Sequence, residues 1–169
     1  MTISMYAASV PVFKQMLGSL SAVLAKGEAY ATERKIEPDV LVKARLFPDM
    51  LPLYRQVDIA CDFAKGVSAR LAGVEVPVYA DSAPGFAQAQ ERIATTLAFI
   101  EGLTPAQIDG SEERQVVIQP GTPRERSFAG QAYLLGYGLP QFFFHITTAY
   151  ALLRHNGLAV GKKDYMGVY

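Results

Sequence analysis

The chain has 169 residues, half of them hydrophobic and 19% charged, and its 16 acidic and 16 basic side chains cancel to a formal charge of zero. A chain of that length fits one domain over 1–169, large enough to bury roughly 70% of its unfolded surface without a disulfide or a structural metal. Balanced charge gives no global field for nucleic acid or an anionic membrane, and a single cysteine, Cys61, excludes an intramolecular disulfide and a cysteine-cluster metal site.

The N-terminal MTISMYAASVPVF lacks the basic start, apolar run and cleavage site of a signal peptide, so a cytoplasmic location is expected. Ser9 and Pro11 read as the cap and first turn of a first helix running to about Arg34, with Phe13, Met16, Leu17, Leu20, Val23 and Leu24 at helical spacing. Gly18 and Gly27 weaken it unless a neighbour packs close there. Glu37-Pro38-Asp39 introduces a short turn over Val40–Leu46. Asp49 reads as the cap of a second long helix ending near Gly73, with Val57, Cys61, Ala64, Val67 and Leu71 on its core face. Within that pattern Cys61 is a buried small hydrophobe. Gln56, Asp58 and Asp62 lie on the other side, and the two aspartates, one turn apart, read as a solvated face rather than a cation site.

Val74–Tyr79 is an extended linker whose Pro77 argues against a central strand. Asp81, Ser82 and Pro84 open a third helix with Phe86, Ala89, Ile93, Leu97 and Ile100 as its stripe, ended by Gly102. Thr104-Pro105-Ala106-Gln107 is a capping-box signature for one further turn. Arg114–Gln119 and Arg124–Phe128, around Pro120-Gly121-Thr122-Pro123, read as a small hairpin. The glycine-studded Ala129–Gly138 lacks the lysine and spacing of a phosphate loop and reads as a close-packed connection.

The longest apolar helical pattern is Leu139–Gly157, LPQFFFHITTAYALLRHNG, which holds both histidines. Pro140 suits its first turn and Gly157 the left-handed residue beyond its end. Gln141, His145, Thr148 and Leu152 share one stripe, flanked by Phe142, Ile146, Ala149 and Leu153. Leu134–Leu153 carries no formal charge, but its glycines, Pro140, Gln141 and His145 favour a core helix over a membrane span. The C-terminal LAVGKKDYMGVY is short and mixed. Its tyrosines either pack back on the bundle or bridge to a second subunit of a homodimer. Four long amphipathic segments with one hairpin between the third and fourth make an all-α four-helix bundle.

Three stretches carry a family resemblance: LFPDMLPLYRQVDIACDFAKG at Leu46–Gly66, FAGQAYLLGYGLPQFFFHITTAYALLRHNG at Phe128–Gly157, and GKKDYMG at Gly161–Gly167. Together they resemble the bacterial domain-of-unknown-function family 1993, placed with the DinB/YfiT-like four-helix bundles. The resemblance implies a DinB-like bundle over the whole chain. Better-known members of the wider group are metal-dependent thiol transferases that hold a divalent metal through three histidines, two of them spaced by four ahead of a leucine-leucine-arginine run. With Leu152-Leu153-Arg154 in register, the second of that pair falls on His145 and the first on Gln141. The second long helix has no histidine at all, and His155 lies on a different face from His145.

The function expected is therefore binding of a small molecule or partner by a bundle without the three-histidine metal site, with Gln141, His145, Thr148 and Gln56 as ligand-binding residues and no cofactor. The alternative is a thiol-transferase-like enzyme with an altered set, in which His145, with Gln141, Asp58 or Asp62, holds a divalent metal or acts as general base. As a structural residue, His145 would hydrogen-bond Gln141, Thr148 or a tyrosine across the bundle. Neither nucleic acid nor membrane is an expected partner.

Overall fold

The computed structural model describes residues 3–80 and 83–169. In chain order the elements are α1 (Val10–Arg34), α2 (Pro38–Val42), α3 (Leu53–Ala72), α4 (Phe86–Glu101), α5 (Pro105–Ile108), β1 (Gln115–Ile118), β2 (Arg126–Ala129), α6 (Gly130–Tyr133), a π-helical turn (Leu134–Gly138), α7 (Leu139–His155) and α8 (Lys162–Met166). The long helices pack in the order α1, α4, α3, α7 around the bundle, so α3 rests on α4 and α7 while α1 touches α3 only lightly. Two consecutive pairs of long helices, α1 with α3 and α4 with α7, are thus diagonal. The connections between them, through α2 and through the hairpin, are long because they must cross the end of the bundle.

The apolar stripes read from the sequence form the core. Phe13, Leu17, Leu20 and Leu24 of α1 are at most 2% exposed, and Phe13 meets Phe142 of α7 edge to face at 4.8 Å. Gly27 confirms the close approach expected of it, since a Cβ there would lie 3.1 Å from Leu153 and 3.2 Å from Phe86; Gly18 faces open space. The hairpin forms as read, antiparallel, with Val116 opposite Phe128. Gly73 closes α3 with φ +70°, and Gly157 follows α7 with φ +95°. Among the described residues no helix is long and apolar enough to cross a membrane.

Several local readings are corrected. Ser9 does not cap α1: its hydroxyl donates backward to the Met5 carbonyl at 2.7 Å. The turn expected over Val40–Leu46 forms earlier, as α2, and α3 begins at Leu53 with Pro52 rather than Asp49 in the cap position. Gly85 holds that position in α4, and the opening role expected for Asp81 and Ser82 lies outside the described residues.

The largest difference is at Ala129–Gly138, where α6, the π turn and α7 form one helical run from Gly130 to His155. In the π turn Leu139 N–H reaches the Leu134 carbonyl, five residues back. This wider turn lies just before Pro140, which has no N–H to donate and whose ring crowds the preceding turn of an unbroken α-helix. Close packing does hold there: a Cβ on Gly130 would lie 2.0 Å from the Ser111 carbonyl oxygen, and one on Gly138 2.7 Å from Val67.

The C-terminal segment folds back as α8. Gln15 donates to the Met166 carbonyl at 2.9 Å, and Lys26 pairs with Asp164. The Tyr165 hydroxyl is 2.9 Å from that of Thr147, so this tyrosine packs on the bundle.

Candidate functional site

His145 lies midway along α7 with 8% of its surface exposed, and its Nδ1 is 2.7 Å from Oε1 of Gln56 on α3. Gln56 is 1% exposed and donates its Nε2 to the Leu51 carbonyl at 3.0 Å. A carbonyl oxygen only accepts, so the NH2 end of Gln56 must face Leu51 and its oxygen must face the imidazole. The ring therefore donates from Nδ1 and carries its lone pair on Nε2. Among the described residues nothing hydrogen-bonds that Nε2. Burial pushes the His145 pKa below its ordinary value, which keeps the ring neutral at neutral pH.

Two aromatic rings flank the imidazole: Phe63 stacks on it with centroids 6.0 Å apart, and Phe144 meets it edge on at 5.2 Å. Each is also the wall of a cleft. Phe63 borders one of about 260 Å³ with Arg70, Gln119, Tyr133 and Tyr137. Phe144 borders a second, again about 260 Å³, with Tyr137, Pro140 and Gln141. A third, about 300 Å³, also has Tyr137 and Gln141 in its lining and adds Arg124, Glu125 and Arg126 from the hairpin. The three adjoin at Tyr137, whose ring packs at 5.8 Å against Phe63 and at 5.9 Å against Tyr133.

The expected site residues are thus partly assembled. Gln56 and His145 meet across α3 and α7. Gln141 is half-buried and lines two clefts but does not hydrogen-bond His145; neither does Thr148, whose hydroxyl donates to the Phe144 carbonyl of its own helix at 2.7 Å. The partner expected for a structural His145 is corrected accordingly: it is Gln56, not Gln141, Thr148 or a tyrosine.

Asp58 and Asp62 are held elsewhere. Asp58 is 3% exposed, with Arg92 of α4 at 3.5 Å and Arg55 at 3.3 Å, so the solvated face expected of it is instead a buried ion cluster between α3 and α4. Asp62 is exposed and pairs with Lys65 at 2.8 Å. Among the described residues no group of three or more His, Cys, Asp or Glu side chains is placed to hold a metal ion. Cys61 is fully buried, and burial pushes its thiol up to about 12, which leaves it inert as a nucleophile.

The sequence reading missed Phe63, Arg70, Tyr133 and Tyr137. Phe63 and Arg70 are seven residues apart on α3, a spacing that places them on one face, and Tyr133 and Tyr137 lie a turn apart in the segment read as a connection. That spacing was the available signal.

The helices form a four-helix bundle, and its likeness is to the DinB proteins. The crystal structure of a DinB family member from Shewanella denitrificans superposes with a TM-score of 0.90 at 40% sequence identity, over 97% of this chain and 92% of that one. The chain belongs to the family described as domain of unknown function DUF1993, whose model matches residues 5–166. No curated protein matches it.

Proposed function

We propose that this protein is a small-molecule-binding bundle in which one imidazole and two carboxamides occupy the place of the wider group's three-histidine centre. The reading rests on the Gln56–His145 hydrogen bond, which holds a neutral imidazole between two aromatic cleft walls with its Nε2 lone pair unclaimed among the described residues. Such a nitrogen accepts a hydrogen bond from a ligand O–H or N–H, while Phe144, Tyr137 and the Gln141 amide supply an apolar wall and a polar anchor.

The same tautomer is the one a metal-binding histidine needs, its other nitrogen fixed by a hydrogen bond, and this favours the second reading, a thiol-transferase-like enzyme with an altered ligand set. The donor set does not fit a divalent metal: tight binding takes three or four converging nitrogen, sulfur or carboxylate donors. Here one nitrogen is offered, the Gln56 oxygen is engaged, and both aspartates are bound to cations.

Long-range proton–nitrogen NMR of the histidine ring, titrated with phenol, tests the first reading. Nε2 is expected to resonate as a lone-pair nitrogen and to move upfield as phenol donates to it. An N–H at Nε2, or no response to phenol, overturns the reading. A parallel titration with zinc is expected to show no stoichiometric binding; stoichiometric zinc that disappears in His145→Ala would establish the second reading instead.

A further inference from the structure

The cleft on the Arg70 side of Phe63 contains a guanidinium that pairs with no carboxylate among the described residues. Arg70, half-buried near the end of α3, donates from Nη1 to the Gly66 carbonyl at 3.0 Å and to the Tyr133 hydroxyl at 3.2 Å. Gly66 makes room for it, since a Cβ there would lie 2.7 Å from the same Nη1. Among the described residues no Asp or Glu comes within ion-pair distance of Arg70, although Asp62 lines the same cleft and takes Lys65 as its partner. An arginine held by neutral acceptors on one side keeps its remaining N–H donors for something else.

The surroundings specify what that is. Tyr133 accepts from Arg70, so its own proton is a second donor, with no acceptor among the described residues. Tyr137 and Phe63 form an aromatic wall. Arg124 and Arg126, both exposed and without an ion-pair partner among the described residues, stand over the adjoining cleft, where Glu125 accepts the Gly121 N–H at 2.6 Å. We infer that this cleft binds a small carboxylate with a planar or apolar body, the anionic head on the Arg70 fork and the Tyr133 hydroxyl, the body against Tyr137 and Phe63. At about 260 Å³ the cleft falls just below the usual range of ligand sites, about 300–1,000 Å³, which suits one ring rather than a nucleotide. Seven residues of helix separate Arg70 from Phe63, about 10 Å. A longer acid held at Arg70 would therefore extend toward His145 along the same aromatic wall. The inference deepens the small-molecule reading above and names its ligand class, and its reach toward His145 rests on that reading.

Benzoate and its neutral isostere benzamide are the probes, titrated into the full chain by calorimetry and NMR. Benzoate is expected to bind at least tenfold tighter than benzamide, to shift the Tyr133, Tyr137 and Arg70 side-chain signals, and to weaken at least tenfold in Arg70→Gln, with Arg70→Lys between because it keeps the charge and loses the fork. The benzoate–benzamide contrast is read on the unmodified chain, so it decides the matter even if Arg70→Gln fails to fold. Equal binding of the two probes, shifts confined to other surfaces, or unchanged affinity in a folded Arg70→Gln overturns the proposal. If neither probe binds while phenol still moves His145 Nε2, the carboxylate site falls and the imidazole reading stands. If phenol is silent too, both fall.

Discussion

At the scale of single residues, the assignment that matters most is the protonation of His145, and it has a measurable consequence. Burial lowers its folded pKa below the unfolded value near 6.5. Above that value the ring is neutral in both states and contributes no pH dependence. Below it the unfolded chain takes up the proton first, so stability falls as the pH drops from 6.5 through the folded pKa. Denaturant melts at descending pH are expected to show that slope in the wild type and to lose it in His145→Gln. A charge in place of the Gln56 amide reverses the sign. Gln56→Glu puts a carboxylate against Nδ1, raises the histidine pKa above its ordinary value, and adds stability that is present at low pH and lost as the pH rises through the new folded pKa. NMR titration of the ring reads both directly; a His145 pKa unmoved by Gln56→Glu would mean that Gln56 does not contact the ring in solution. The sequence placed His145 on an inward stripe and named Gln56 among its candidate neighbours, but not the bond between them. They stand 89 residues apart, and periodicity says which face a residue occupies without saying what lies opposite. Asp58 shows the same limit: its spacing from Asp62 suggested water, whereas Arg92, supplied by α4, turns the position into a buried ion cluster.

At the scale of elements, the glycines separate packing from propensity. Gly18 sits inside α1 with nothing within 4 Å of an added Cβ, so Gly18→Ala is expected to stabilise the protein by about 1 kcal/mol through helix propensity alone. Gly130, at the start of α6, would drive its Cβ to 2.0 Å from a backbone oxygen of Ser111, which cannot swing away as a side-chain tip does. Gly130→Ala is therefore expected to cost about 1–3 kcal/mol, the range for overpacking. Urea midpoints for the two variants check this, and movement in the same direction would refute the packing account. Long helices were legible because each carries its own stripe and three of the four, at Gly73, Gly102 and Gly157, their own glycine stop. What misled was local punctuation. Ser9 and Asp49 have cap chemistry, yet one is turned backward by a buried carbonyl and the other lies upstream of Pro52, which holds the cap position of α3. Ala129–Gly138 read as a connection, with the helix starting only at Leu139, because a π turn, which lets the run from Gly130 to His155 pass through Gly136 and Gly138, has no signature distinct from a loop in one sequence.

At the scale of the whole molecule, the bundle orders its surface around two distant features: the aromatic groove over Tyr137 and the strap formed by α8. The strap was not legible as a helix. Its five residues are too few to show a period, and the one local signal is Asp164, which accepts the Gly161 N–H at 2.8 Å and so opens the turn. None of its residues is buried. Its hold on α1 consists of the Lys26–Asp164 pair, the Gln15 bond to Met166, and Gly167, which fits over Ser19 where a Cβ would lie 2.8 Å from that side chain. The pairing with Lys26 lowers the Asp164 pKa, but Asp164 is solvated, so the contribution is small. Deleting residues 161–169 should therefore uncover the edge of the core without opening it, since Leu158 and Val160, each 5% exposed, lie before the cut. A loss of one to two kcal/mol corresponds to roughly 2–8 °C in Tm for a domain of this size. The truncated chain is expected to keep its far-ultraviolet circular dichroism and its response to phenol and benzoate, because among the described residues no hydrogen bond, ion pair or ring contact joins the strap to the residues lining the groove. Unfolding of the truncated chain at room temperature would show that α8 is part of the cooperative core. Loss of the ligand response with the fold intact would mean that the strap and the groove are coupled through α7, whose Thr147 and Tyr150 meet Tyr165 on one side while His145 meets Gln56 on the other.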